Sequence, residues 1–169
     1  MATASAALEV MVVPPEGASY FSAAYLPGTV EPNKLAWVVP NPEPNPAGHG
    51  MEHDELLEMP RVVTDVKGYD ERLSLVGVVY ADSPVATAGS RLESVAVAAT
   101  GFVTLVDTYF SDSKKDCTCG DVVYARASGE KVELGHQKGF AAPAMDGFVK
   151  VGRIMEIGSR GDARLLLHL

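Results

Sequence analysis

Along residues 61–169 the apolar positions come in short runs separated by turns bearing glycine, aspartate and serine. Val149, Val151, Met155 and Ile157 share one parity, interrupted by Arg153, while Lys150 and Glu156 take the other. After residues 158–161, Ala163, Leu165 and Leu167 alternate with Arg164 and His168, with Leu166 the exception. A period near two, bounded by turn residues, predicts half-buried antiparallel strands, because successive side chains on a strand point to opposite faces. Strands are predicted at 61–66 and 73–80. Three hairpins follow: 91–99 with 102–108 around Thr100-Gly101, 122–126 with 131–134 around Ser128-Gly129, and 149–157 with 162–169 around 158–161. No segment in 61–169 has the length and period of an amphipathic helix. The predicted fold is all-β, a small antiparallel barrel or sandwich of about eight short strands.

Residues 1–60 read differently. Nine of the eleven prolines fall between Pro14 and Pro60, most densely in Asn41-Pro-Glu-Pro-Asn-Pro46. Proline fixes φ and removes a backbone donor, which bars helix interiors and central strands at those positions. The segment is predicted to be an extended Pro-rich arm, residues 1–60, ahead of a β domain, residues 61–169. Islands such as Leu35-Ala-Trp-Val-Val39 have the composition to pair or dock. One short helical turn is predicted at 49–59. Tyr20, Phe21, Tyr25 and Trp37 carry more apolar area than a solvated linker keeps exposed. They are the candidate partner-binding anchors, with packing on the chain's own β domain as the other reading.

Composition narrows the functions. With 47% hydrophobic and 7% aromatic residues, the 169-residue chain builds its interior mainly from Val, Ala and Leu. Acidic groups outnumber Lys and Arg 22 to 14, a formal charge of −8, which argues against a nucleic-acid partner. No apolar run approaches the roughly 20 residues of a membrane-spanning helix. Residues 2–13 lack the basic start of a signal sequence, and Glu9 interrupts them, so synthesis is expected in the cytoplasm.

Candidate chemistry is sparse. Cys117 and Cys119 stand one residue apart, a spacing for a strained disulfide at best and half of a zinc site. His49 and His53 have the i,i+4 spacing of paired ligands, but Gly50 and the nearby prolines weaken any helix there; His136 is a further imidazole. Neither metal nor cofactor is expected. Asp116, Cys117 and His136 include a nucleophile and a base without any motif for an oxyanion site, so no catalytic residue is assigned. Arg160-Gly161-Asp162 reads as hairpin-turn chemistry. Gly-rich phosphate loops are absent.

The order of motifs does carry a resemblance. Gly77, Gly101, Gly120-Asp121-Val122-Val123-Tyr124, Val151-Gly152, Glu156, Gly161 and residues 165–169 follow one another in a strand-and-turn order. That order resembles the capsid decoration (cement) and minor capsid β-barrel proteins of tailed phages and large icosahedral DNA viruses. It covers a little over half the chain and includes no catalytic group. The resemblance implies a non-enzymatic virion protein made in the host cytoplasm. Its expected partners are the major capsid protein and neighbouring capsid subunits, with a homotrimer as a further expectation. The alternative expectation is a generic β-sandwich binding module such as a fibre, adhesin or carbohydrate-binding domain.

Overall fold

The computed structural model describes residues 9–12, 19–40, 59–69, 73–80, 84–106, 108–111, 116–127, 129–138, 147–158 and 163–168. Ten strands join in one antiparallel sheet: β1 Glu9–Val12, β2 Ser19–Tyr25, β3 Leu35–Val38, β4 Val62–Val63, β5 Ser74–Val79, β6 Glu93–Val106, β7 Val122–Ala127, β8 Val132–Gln137, β9 Val149–Ile157 and β10 Ala163–His168. Eight form a continuous path, β4-β3-β5-β6-β10-β9-β7-β8, and β1 and β2 add along β6. A single helical turn, α1 Thr108–Ser111, follows β6. The all-β architecture predicted from alternation is the one observed.

Strand β6 organises the rest. Its first half pairs with β2 on one edge and with β5 on the other; its second half pairs with β1 and β10. Thr100 has Ser19 across one edge and His168 across the other. The hairpin predicted around Thr100-Gly101 is therefore not formed: the chain runs straight through as one 14-residue strand. Gly101 has φ 129°, a conformation side chains resist, and it sits where the strand changes partners. With that φ and a register shift against β2 that skips Ala99, the strand continues instead of reversing. The other two predicted hairpins are present as β7–β8 and β9–β10.

Strand β6 serves two cores: Val95 and Val97 belong to one, Ala98 and Val103 to the other. Strands β2, β3, β4, β5 and the first half of β6 curl together, and a parallel bridge between Ala24 and Arg61 links β2 to the chain entering β4. Ala23, Tyr25, Ala36, Val62, Val79, Val95 and Val97 fill the interior of that curl. The opposite faces of β3, β4 and β5 turn Leu35, Trp37, Val63 and Val78 toward a second core, shared with Val123, Leu134, Ile154, Leu165 and Leu167 of the C-terminal strands.

Within residues 1–60 the described chain forms β1, β2 and β3, with turns over 26–34 between β2 and β3, and the border at residue 60 falls between β3 and β4. Prolines bracket these strands: Pro27 follows β2, and Pro32 and Pro40 flank β3. The helical turn predicted at 49–59 lies, apart from Met59, outside the described residues, as does Arg160-Gly161-Asp162.

Inside β9 the predicted parity fails. Phe148, Val151 and Ile154 are buried, whereas Val149, Met155 and Ile157 are 37%, 47% and 37% exposed. The register against β7 skips Val151 and that against β10 skips Met155, so two bulges turn a period of two into steps of three. Strand β10, without a residue skipped on its own side, keeps the predicted alternation with Ala163, Leu165 and Leu167 inward.

Gly152 pairs with Leu167 where β9 runs close against the β10 backbone. A Cβ built there would stand 2.2 Å from the Leu166 carbonyl oxygen. Gly152→Ala is expected to destabilise the fold by about 1–3 kcal/mol, the usual cost of forcing a backbone apart. Thermal unfolding of the purified variant measures it; an unchanged midpoint would mean the two strands are not in this register.

Candidate functional site

The four predicted anchors separate into two pairs. Tyr25 and Trp37 are each 1% exposed. The Tyr25 hydroxyl accepts a hydrogen bond from the Ala86 backbone N–H at 2.7 Å. The Trp37 indole N–H is buried with no acceptor among the described residues. Burying an indole of about 200 Å² contributes roughly 5 kcal/mol, against about 1–3 for an unmet donor, so apolar area decides its position. Both side chains are core residues, and the expectation that they face a partner is corrected. Phe21 is half-buried against the inner core of the curl. Tyr20 alone stays largely open, at 38%, with its ring edge-on to Tyr80 at 4.9 Å. Tyr20 lies opposite Ala98, and Tyr80 donates its backbone N–H to Ala96 on the other edge of β6. The small alanine side chains let the two rings meet over the strand.

The polar chemistry gathers elsewhere, where α1, the loop 116–121 and the end of β8 meet. Tyr109 is 5% exposed and its hydroxyl hydrogen-bonds His136 Nδ1, the two rings 5.5 Å apart at 71°. Burial pushes the Tyr109 pKa well above its ordinary value, and the neighbouring Cys117 and Asp121 add to the rise. The phenol therefore keeps its proton at neutral pH, and its bond to Nδ1 orients the imidazole ring. Asp121 is 2% exposed and accepts from the Thr118 N–H at 3.0 Å and the Thr118 hydroxyl at 3.1 Å. Lys138 reaches over the loop to Asp116 O at 3.1 Å, Thr118 Oγ1 at 2.9 Å and Asp121 Oδ2 at 3.3 Å. Burial by itself would raise the Asp121 pKa; the two Thr118 donors and the Lys138 ammonium overcome it and hold the carboxyl below its ordinary range.

Cys117 and His136 thus both neighbour one phenol, as the sequence allowed, whereas Asp116 is exposed and contributes only its carbonyl. The arrangement orients a phenol and an imidazole and locks a loop to a strand. Tyr109, Asp121 and Lys138 are absent from the sequence-based candidates. For Asp121 a signal exists, since Thr118-x-Gly120-Asp121 is the composition of a tight turn; for Tyr109 there is none. His49 and His53 lie outside the described residues. Among the described residues no three His, Cys, Asp or Glu side chains group as metal ligands, and no helix is long and apolar enough to cross a membrane.

On the outer side of the C-terminal strands, Val122, Tyr124 and Phe148 form a small third cluster, with the Arg126 guanidinium 4.6 Å above the Phe148 ring. Further along that side Phe102 is 36% exposed, and Arg164 lies 5.1 Å over its ring. A scan against protein-family models finds none that matches the chain, and searches of curated proteins and of solved structures return no match.

Two pH dependences follow. A raised phenol pKa leaves stability intact below about pH 10 and removes it as pH climbs further, because only the unfolded chain ionises there. Between pH 10 and 12, Tyr109→Phe should lose less stability than the parent, by up to about 1.4 kcal/mol per pH unit. Chemical denaturation across that range gives the comparison, and parallel slopes would refute it. Asp121 works in the opposite sense: its contribution is complete above about pH 4 and fades as pH falls through its lowered folded-state value. Asp121→Asn should flatten the acid limb of the melting profile; an unaltered limb would assign acid lability to other carboxylates.

Proposed function

We propose that this protein is a non-enzymatic structural component of a virion, a decoration or minor capsid protein that binds and stabilises the shell. The resemblance supplies the class, and the distribution of exposed apolar side chains supplies the physical support. Among the described residues five large hydrophobic side chains remain exposed: Tyr20, Phe102, Val149, Met155 and Ile157. Four of the five belong to β6 and β9, within the half of the chain that carries the resemblance. A face that works by adhesion needs such anchors on a rigid support, because interface energy concentrates in a few large side chains. Residues of the shared motif occupy shape-determining places on that support. Gly101 holds a positive φ inside β6, Gly152 a close approach to the β10 backbone, and Gly120-Asp121 the clamped turn into β7.

A second reading draws on Tyr20 and Tyr80. An exposed tyrosine set against a half-buried one is a feature a carbohydrate-binding module would present, although the edge-on geometry offers one ring face and no flat platform.

Particles of the virus that encodes the chain provide the test. Fixed, saturable incorporation of the protein into purified particles is expected. The double variant Phe102→Asp, Met155→Asp, altered only at exposed positions, should lower occupancy at least about tenfold while melting as the parent does. Absence of the parent chain from intact particles would overturn the virion reading. Glycan binding lost in Tyr20→Ala would then favour the carbohydrate module.

A further inference from the structure

The loop 116–121 is held more firmly than its length suggests. The Asp121 N–H donates to Thr118 O at 3.1 Å, which closes a four-residue turn. Gly120 stands third in it with φ 93°, the left-handed conformation a type II turn requires there. Two further bonds tie its far end to β9: Gly120 N to Ile154 O at 2.7 Å and Ile154 N to Asp121 O at 2.8 Å. Arg153 Nη1 adds a third, to Gly120 O at 2.8 Å. Cys119 occupies the second position of this turn, at its exposed corner, and Cys117 stands two residues earlier, half-buried against the second core. Neither cysteine is in a disulfide.

We propose that Cys117 and Cys119 form a reversible dithiol–disulfide site that reacts with low-molecular-weight disulfides. Spacing makes the bridge reachable. Two trans peptide units of about 3.8 Å keep the two Cα atoms within about 7.6 Å, and a bridge needs roughly 4.4–6.8 Å. Closure therefore asks for a contraction around Thr118, whose bonds to Asp121 and Lys138 must adjust while those holding Gly120 and Asp121 to β9 remain. So small a ring keeps the bridge strained, and strained, exposed disulfides are the readily reduced kind. Such a bridge forms and opens with the surroundings and serves no scaffold role.

Exposure assigns the order of events. The Cys119 thiolate attacks one sulfur of a small disulfide RSSR, forming a mixed disulfide and expelling RS⁻, which takes up the proton Cys119 released. Cys117 then gives up its proton and attacks the Cys119 sulfur, and the second RS⁻ leaves as RSH. In sum, two protein thiols and RSSR become one intraloop disulfide and two RSH, with two electrons passing from the protein to the reagent. Half-burial of Cys117 suits it to the resolving step, since a bulky reagent reaches the corner position first.

Intact-mass spectrometry of the full reduced chain with excess oxidised glutathione at pH 8 tests this. The parent should lose about two mass units, the two thiol hydrogens, and regain them with dithiothreitol. Cys117→Ser should stop at one stable glutathione adduct, and Cys119→Ser should react at least about tenfold more slowly than the parent. Three results would each overturn the proposal: a parent chain that accumulates glutathione adducts without closing, one that becomes a disulfide-linked dimer, or one that does not react. Because the parent chain alone shows the closing step, the outcome stands even where a variant folds poorly.

Discussion

A β-strand of fourteen residues, paired on both edges, cannot lie flat and still bury both of its faces. Strand β6 meets that constraint by changing partners midway, with a register shift that skips Ala99 and a positive φ at Gly101. On the N-terminal side of Gly101, Val95 and Val97 point into the curl made with β2 and β5, while Ala98 points out toward the second core. Beyond it, Val103 joins that second core with β10. A register shift at Ala99 and a positive φ at Gly101 thus let a single strand serve two cores, and these share the apolar contacts of β3, β4 and β5. A β-branched residue at 101 would resist that conformation.

The same economy governs the loop between α1 and β7. Its buried carboxylate, Asp121, is surrounded by donors, and its backbone is stitched to Ile154 of β9. A buried charge is tolerable only when its lone pairs are met. Here meeting them also fixes the turn that leads into β7 and the corner on which Cys119 is displayed. Tyr109 does the equivalent for α1: its phenol reaches His136 on β8, and burial keeps that phenol protonated. The Tyr109–His136 bond thereby joins α1 to β8, segments distant in sequence.

Adhesion and rigidity are linked in the proposed function. Tyr25 and Trp37 give their area to the interior, and the exposed apolar side chains left for a partner sit on strands that the interior makes stiff. Little ordering is then needed on binding, so more of the contact energy remains as affinity.

Alternation determined a good deal from the residues alone. The all-β class, the β7–β8 and β9–β10 hairpins and the inward face of β10 are legible because a period of two, closed by Gly, Ser and Asp, has one physical meaning. The pairing capacity of residues 35–39 was legible too, as an apolar island between prolines. What the tertiary structure decided is where local chemistry has more than one solution. Thr100-Gly101 suits a turn or a continuing strand equally well, and only the partners on both edges of β6 select the strand. The faces of Val149, Met155 and Ile157 depend on bulges that arise from register with β7 and β10, which no period within β9 can encode. Tyr25 and Trp37 carry the same apolar area whether they meet a partner or the chain's own core, and the pairing of β2 and β3 settles that they meet the core. Tyr109, Cys117, Asp121 and His136 span twenty-eight positions of sequence and come together only because β7, β8 and β9 are neighbours. Local sequence determines what a segment can form; contacts distant in the chain determine which of those forms has the lower free energy.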